Sequence, residues 1–262
     1  MRCKLCLKVI RHPSLKSKEI QVCGMCNNVR LPTNQKSFTH VEHPDIPIIK
    51  QVNSNGKRHY ETPFGVYISI TTMLHKLPLT PELAKWREDV GDDVANYAMM
   101  MGARRGNKLH SAVESYLKNE PLQDMKQNYG VIAAGLFELM QPALDKIDNI
   151  REIEQRLFSQ KLELAGTTDC VAEYDGVPSV IDFKSASWMR DKDSITDYFM
   201  QATFYSLAWE ELTGEKIEQI VIIMASDNDG QMHVFIEQRS NYIESLKQAI
   251  ADYKSLTGEQ IS

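Results

Sequence analysis

Two stretches of the 262-residue chain, Glu163–Tyr174 and Val177–Lys184, have β-branched, almost continuous apolar character and are separated only by Asp175-Gly176. A dipeptide of that kind between apolar runs specifies a two-residue hairpin, because both residues tolerate positive φ. With the run Ile150–Gln160 before them, they demand a sheet in the middle of the chain. Helices surround it. From Pro81 the spacing predicts a helix, with Thr80 as N-cap and Pro81 in the first turn, running to about Met101 where Gly102 interrupts it. Further helices are expected over about Arg104–Lys118 and Tyr129–Ile147. After the hairpin come a helix at about Thr196–Leu212 stopped by Gly214, strands at Ile217–Ala225 and Met232–Glu237, and a last helix over about Asn241–Ser255. This order implies an α/β domain with a mixed central sheet flanked by helices. Upstream, the proline-bearing stretch LPTNQKSFTHVEHPDIP reads as a linker, and Ile46–Val52 and Lys57–Glu61 read as a hairpin around Asn53-Ser54-Asn55-Gly56.

Composition narrows the class of molecule. The chain is 42% apolar and 25% charged, as a globular protein with its own core is. It has no run of 18 apolar residues and no apolar stretch in its first 20, so the expectation is an intracellular, cytoplasmic protein with no membrane partner. Residues 1–60 hold eleven Lys/Arg against three acids, a balance of +8, which leaves −13 for the remainder of a chain whose total is −5. A basic front on an acidic body suggests an anionic partner for the front and a cation site in the body.

That front also carries four of the five cysteines, Cys3, Cys6, Cys23 and Cys26. Two C-x2-C turns separated by sixteen residues fit a closed, tetrahedral structural zinc site. A segment so short cannot fold on apolar burial alone, so the metal would supply much of its folding free energy. Disulfides are disfavoured without a secretion signal, and a redox dithiol needs one C-x-x-C within a βαβ unit. A four-thiolate iron–sulfur cluster satisfies the same spacing. Cys170, alone downstream, is assigned to the core.

The chemistry of the body concentrates on the central hairpin. Gly166-Thr167-Thr168-Asp169 lies in its first strand and Asp182-Phe183-Lys184 in its second. Alternation puts Asp182 and Lys184 on one face and Ile181 and Phe183 on the other, with Asp169 on the adjacent strand within reach of a shared cation. Two carboxylates beside an ammonium suit phosphodiester hydrolysis. The acids hold Mg²⁺ or Mn²⁺ through oxygen, and the metal polarises phosphate and water. The lysine orients or deprotonates the attacking water, or stabilises developing charge. A lone D-x-K is common and is more often a solvated salt bridge. Two pairs at i, i+4 spacing add weight: His110 with Glu114 before the hairpin, and Gln201 with Tyr205 after it. Arg104, Arg105 and Lys108 open the helix that bears His110 and are placed for phosphate contact. Trp188 is a candidate base-stacking residue, although buried packing is the plainer expectation. Met99-Met100-Met101 is assigned to the core.

Taken in order, G-x-x-x-H-x-x-x-E (Gly106, His110, Glu114), G-T-x-D (Gly166, Thr167, Asp169), D-x-K (Asp182, Lys184) and Q-x-x-x-Y (Gln201, Tyr205) resemble the RecB-type branch of the PD-(D/E)XK nucleases. With Ser69-Ile70-Thr71-Thr72 ahead of them, the series is similar to mitochondrial genome maintenance exonucleases and related phage exonucleases. The resemblance covers about Tyr67–Phe235, with Thr168 where the name of the motif has proline. It implies a restriction-endonuclease-like core over residues 63–262, behind a 1–30 metal module and a 31–62 linker and hairpin. The implied activity is a Mg/Mn-dependent DNA exonuclease of replication, recombination or repair in a bacterial or phage-infected cell. It further implies that Asp169, Asp182 and His110 ligate the metal with help from the Phe183 carbonyl, and that Glu114 is a ligand or supports one. Lys184 would activate water, and Gln201 and Tyr205 would position DNA or Lys184. A structure-specific or nicking endonuclease of the same fold, and a non-catalytic zinc-ribbon nucleic-acid-binding protein, are the alternatives. The retained acids and lysine argue against the second. CRISPR adaptation nucleases carry cluster cysteines on both sides of the nuclease domain, unlike this chain, which favours zinc at the front. The module's expected partners are DNA or a replication or recombination protein.

Deleting residues 1–30 is expected to weaken DNA binding more than it slows cleavage of short oligonucleotides. Titrations over a salt series check this: a truncated chain with unchanged salt-dependent affinity would show that the basic front does not bind DNA.

Overall fold

The computed structural model describes residues 36–54, 56–122 and 124–258. The proposed cysteine module lies outside the described residues. The elements are β1 (Lys50–Ser54), β2 (Lys57–Thr62), β3 (Gly65–Ser69), α1 (Ile70–Leu74), α2 (Pro81–Val90), α3 (Asp92–Leu117), α4 (Met125–Asn128), α5 (Val131–Leu144), β4 (Ile147–Ser159), β5 (Leu164–Tyr174), β6 (Val177–Ala186), α6 (Thr196–Thr213), β7 (Gln219–Ser226), β8 (Met232–Gln238) and α7 (Ile243–Thr257). The strands form one mixed sheet, in the order β1-β2-β3-β5-β6-β7-β8, with β4 also paired to β5.

Strand β5 is the pivot. One edge runs antiparallel to β4; the other pairs with β6 from Cys170 to Tyr174 and with β3, in parallel, at Leu164 and Ala165. Asp175 (φ 49°) and Gly176 (φ 78°) both take positive φ, the geometry of the tight turn that links β5 to β6. Strands β6 and β7 are parallel, as a crossover through α6 requires, and Gly214 ends that helix in the left-handed conformation. One face of the sheet packs Leu109, Val113 and Tyr116 of α3 and Leu136, Phe137 and Met140 of α5 over Cys170, Ile181 and Phe183. The other packs Phe199, Ala202 and Trp209 of α6 and Leu246 and Tyr253 of α7 over Val171, Val180 and Ile222. The mixed sheet flanked by helices is the architecture expected from the order of elements. None of the described helices is long and apolar enough to cross a membrane.

Three expectations are corrected. First, the helix break falls at Gly91 (φ 81°), and α3 runs for 26 residues straight through Gly102 and Gly106. Asp92 and Asp93 in its first turn suit the positive end of the helix dipole. Gly106 faces β6, where a Cβ would make ordinary contact with Ser185 Oγ at 3.7 Å. Second, Met99, Met100 and Met101 are exposed (60%, 42% and 42%), not core. In residues 92–108 of α3 only Ala95 is buried, and α2 lies alongside. Apolar spacing identifies a helix but not whether anything covers it. Third, the β1–β2 hairpin grouped with the linker continues the main sheet through β3, a short strand that follows the turn at Pro63-Phe64.

The segment before the hairpin is tied down at the end of α3. Asn119 takes φ 60°, with Asn119 N–H donating to Tyr116 O and Glu120 N–H to Ser115 O, a Schellman closure. Its side chain then accepts from Phe38 N–H (2.7 Å) and donates to Phe38 O (2.9 Å), while the Phe38 ring packs edge-on against Tyr116. Asn119→Ala forfeits two hydrogen bonds at about 1 kcal/mol each and a residue type tolerant of positive φ, about 3 kcal/mol in all. Asn119→Gly keeps the backbone conformation and should lose about 1 kcal/mol less. Urea unfolding midpoints of the three proteins at constant slope check the ranking.

Candidate active site

The pairing of β5 with β6 stops at Cys170–Ile181. Two residues further along β6, Phe183 N–H donates to Asp169 Oδ2 (2.8 Å), so the carboxylate stands where a strand carbonyl would otherwise accept. Alternation along β6 sends Ile181 and Phe183 to the α3–α5 side and Asp182 and Lys184 to the α6 side. On the α6 side Lys184 Nζ donates to Asp182 Oδ1 (2.8 Å) and lies 2.6 Å from Oδ2, so both carboxylate oxygens face the ammonium. The ammonium also donates to Gln201 Oε1 (3.4 Å) and sits 4.8 Å from the Tyr198 ring centroid. Gln201 Nε2 donates in turn to the Tyr205 hydroxyl (3.3 Å). On the α3 side His110 Nδ1 lies 3.4 Å from Asp169 Oδ1. One chain of contacts thus links His110, Asp169, Phe183, Lys184, Asp182, Gln201 and Tyr205.

The remaining sequence candidates lie elsewhere. Glu114 shares the helix face of His110, but its carboxylate goes to Lys118 one turn on (2.6 Å) and is not in the acidic group. Arg105 donates to Ser185 Oγ, Ser187 Oγ and Asp227 Oδ2 at 3.1–3.3 Å, so it braces α3 against the ends of β6 and β7 and does not stand ready for phosphate. Arg104 and Lys108 are exposed. Trp188 is 54% exposed, which overturns its expected packing and leaves its ring open to solvent beyond Lys184.

A residue that no motif pointed to joins the cluster. Glu154 Oε1 is 3.8 Å from His110 Nδ1, and ligand atoms of His110, Glu154 and Asp169 all lie within 4.8 Å of one another. Its φ is +54°, a conformation that costs a non-glycine residue of order 1–3 kcal/mol. The register gives it away: Ile153 pairs with Cys170 and Gln155 with Thr168, which sets Glu154 opposite Asp169 with no ladder pair of its own. Only the alignment of β4 on β5 could have exposed this, and a sequence does not fix that alignment.

The charges hold one another. Burial would lower the pKa of His110, but the Asp169 charge and hydrogen bonding to Asp169 and Glu154 outweigh it and carry the imidazole to about 10. Burial would raise Asp169, and the His110 and Lys184 charges with the Phe183 N–H hold it below the ordinary range. Asp182, almost fully buried, is pushed up to about 6 by burial against the pull of Lys184, so it is ionised at neutral pH. Burial would lower Lys184, but Asp182 and Asp169 raise it, and it remains an ammonium. Burial keeps the Tyr205 hydroxyl protonated.

The donor set fits a hard divalent cation: carboxylate oxygens of Asp169 and Glu154 with the imidazole of His110, and the buried Asp182 carboxylate close by. Without such a cation, His110 keeps to about pH 10 a proton that it would release near 6.5 when unfolded. The folded state binds the extra proton across that interval, so stability falls as pH rises through it. In EDTA the urea midpoint should drop between pH 7 and pH 9, and His110→Gln should flatten most of the slope. Equal slopes for the two proteins would mean that no imidazolium is held at this position.

Over residues 85–261 the sequence matches the PD-(D/E)XK nuclease superfamily. It is 24% identical over 212 residues to mitochondrial genome maintenance exonuclease 1 of Homo sapiens, covering 75% of this chain and 59% of that protein. It is 30% identical over 127 residues to the Mus musculus protein of that name, covering 45% of this chain and 36% of that one. The chain therefore spans less than two thirds of the length of these curated relatives. Among solved structures it is similar to that titled "Crystal structure of SSO0001", at 13% identity and TM-score 0.40 over 73% of this chain and 76% of that one. With the family match extending over most of its length, the chain belongs to the PD-(D/E)XK nuclease superfamily.

Proposed function

We propose that the protein is a metal-dependent DNA exonuclease that hydrolyses phosphodiester bonds in DNA replication, recombination or repair. The observation that carries this reading is the buried Asp182–Lys184 pair beside Asp169 and His110 at the point where β5 and β6 part. Exonuclease action, as against internal cutting, rests on the names of the two relatives.

His110, Asp169 and Asp182, with the Phe183 carbonyl, would hold Mg²⁺ or Mn²⁺. Such an ion polarises the scissile phosphate and lowers the pKa of bound water. The chain's own groups do the rest. Lys184, as an ammonium, donates to the attacking water or to a phosphate oxygen and stabilises charge that develops there. Gln201 fixes the direction of Lys184, and Tyr205 fixes Gln201. Arg104 and Lys108 on α3 supply cations for the phosphate backbone, and the exposed Trp188 ring offers a surface on which a base can stack. Zinc on Cys3, Cys6, Cys23 and Cys26, and a role for that segment in binding DNA or a protein partner, belong to the same proposal.

The test uses end-labelled single- and double-stranded DNA with Mg²⁺ and Mn²⁺ in separate reactions. Asp182→Asn and Lys184→Ala should each lower the cleavage rate by roughly 10²–10³-fold or more, with DNA affinity in Ca²⁺ changed little. EDTA should abolish cleavage, and covalently closed circles should survive. Wild-type rates in both variants would remove the active-site assignment; rapid cutting of closed circles would make the enzyme an endonuclease.

A further inference from the structure

Glu154 stands in a place that an undistorted strand would not give it. Its neighbour Ile153 packs on the α3–α5 side of the sheet, so regular alternation would send Glu154 to the α6 side. Instead the left-handed φ at Glu154 breaks the β4–β5 ladder for one residue, and the carboxylate reaches His110 on α3. Of the non-glycine residues with positive φ, Asn119, Asp124, Glu163 and Asp175 lie at turns or helix ends, and Asn149 lies at the register shift near the start of β4. Glu154 alone among these described residues lies well inside a strand and opposite a carboxylate of the site. Its side chain is one-third exposed, so the same carboxylate would be well solvated if it simply pointed outward. Strained backbone in the middle of a strand persists only where the surroundings impose it, and such positions gather at functional sites.

We propose that Glu154 is a further ligand of the divalent cation, supplied by β4, and that the break in the strand exists to aim it. This rests on the reading of the site as a metal centre. Asp169 Oδ2 is committed to Phe183 N–H and Asp182 is gripped by Lys184. Among the described residues Glu154 is therefore the acid of the cluster whose oxygens are least engaged by the protein, with one ion-pair contact, to His110. Its place near His110 and Asp169 completes three donors from three separate elements, α3, β4 and β5.

Mn²⁺ is the probe, added alone to the full-length, zinc-loaded chain, with unbound Mn²⁺ counted by its electron paramagnetic resonance signal and no DNA present. Thiolate sites keep zinc in preference to Mn²⁺, so the front cysteines do not interfere. Glu154→Gln, which preserves size, and Glu154→Gly, which also removes the strain, should each weaken Mn²⁺ binding at least about tenfold. Urea midpoints in EDTA should show both variants folded, with Glu154→Gly no less stable than Glu154→Gln. Asp169→Asn is the reference for loss of the site. If wild type and both Glu154 variants bind Mn²⁺ equally while Asp169→Asn does not, the metal centre stands and the role of Glu154 falls. If wild type binds no more Mn²⁺ than Asp169→Asn, the reading of the site as a metal centre falls, and the proposal with it.

Discussion

The layout of the site depends on one hydrogen bond, from Phe183 N–H to the side chain of Asp169. Strand β6 leaves β5 after Ile181, and β3 does not take up that edge until Ala165. Between them β5 has lost its neighbour, and buried strand N–H groups without acceptors cost about 1–3 kcal/mol each. The Asp169 carboxylate meets part of that demand on the β6 side. In doing so it fixes its own orientation, Oδ2 toward β6 and Oδ1 toward His110. A side chain that holds two strands in their divergent course is also the acid that faces the gap between them. Its removal would disturb the fold and the chemistry together, which is why the Asp182–Lys184 pair reports more cleanly on catalysis.

The charges in that gap are tolerable only as a set. A buried carboxylate or ammonium alone would shift toward its neutral form, since its desolvation costs several kcal/mol. Here Asp182 and Lys184 neutralise each other at 2.6–2.8 Å, and Asp169 leans on His110. Glu154 leaves the set one negative charge in excess while His110 is protonated, and two once the imidazole is neutral. The protonated histidine supplies part of the positive charge that, on the proposed reading, a doubly charged ion would bring, and such an ion would displace that proton instead of adding to it. The preference of the cluster for positive charge is built from side-chain positions that the two packed faces of the sheet hold in place.

What the sequence disclosed and what it hid follow one physical division. Signals that depend on a residue's own conformational needs were legible: Asp175-Gly176 at the hairpin, Gly214 at the end of α6, Thr80 capping α2 through Leu83 N–H. So was the sharing of one face by Asp182 and Lys184, which needs only the two-residue period. Signals that depend on what a residue meets were not. Gly102 looked like a break because nothing in the sequence says that α3 runs on unbroken from Asp92 to Leu117. Met99–Met101 and Trp188 looked like core because apolar character does not reveal which surfaces find a partner. Arg105 looked like a phosphate contact because Asp227, 122 residues away, is brought to it only by the fold. Glu154 was invisible for the same reason: its meaning comes from the residue across the ladder.

The motifs themselves turn out to be less independent than their separation in the chain suggests. A Cβ on Gly166 would come within 2.8 Å of the Tyr205 ring and hydroxyl and 3.0 Å of Ile70 Cγ2, so α6 can lie this close to β5 only over a glycine. That approach carries Tyr205, and with it Gln201 one turn earlier on the same helix, up to the sheet, where Gln201 donates to the Tyr205 hydroxyl and accepts from Lys184. The glycine of G-T-x-D thereby makes room for the two residues of Q-x-x-x-Y, one of which accepts from the lysine of D-x-K. On the other face the same economy holds: Asp169 of G-T-x-D receives the N–H inside D-x-K and meets His110 of the helical motif. The four short patterns are one packing unit written in four places, and that is why a series so weak in each part is specific as a whole.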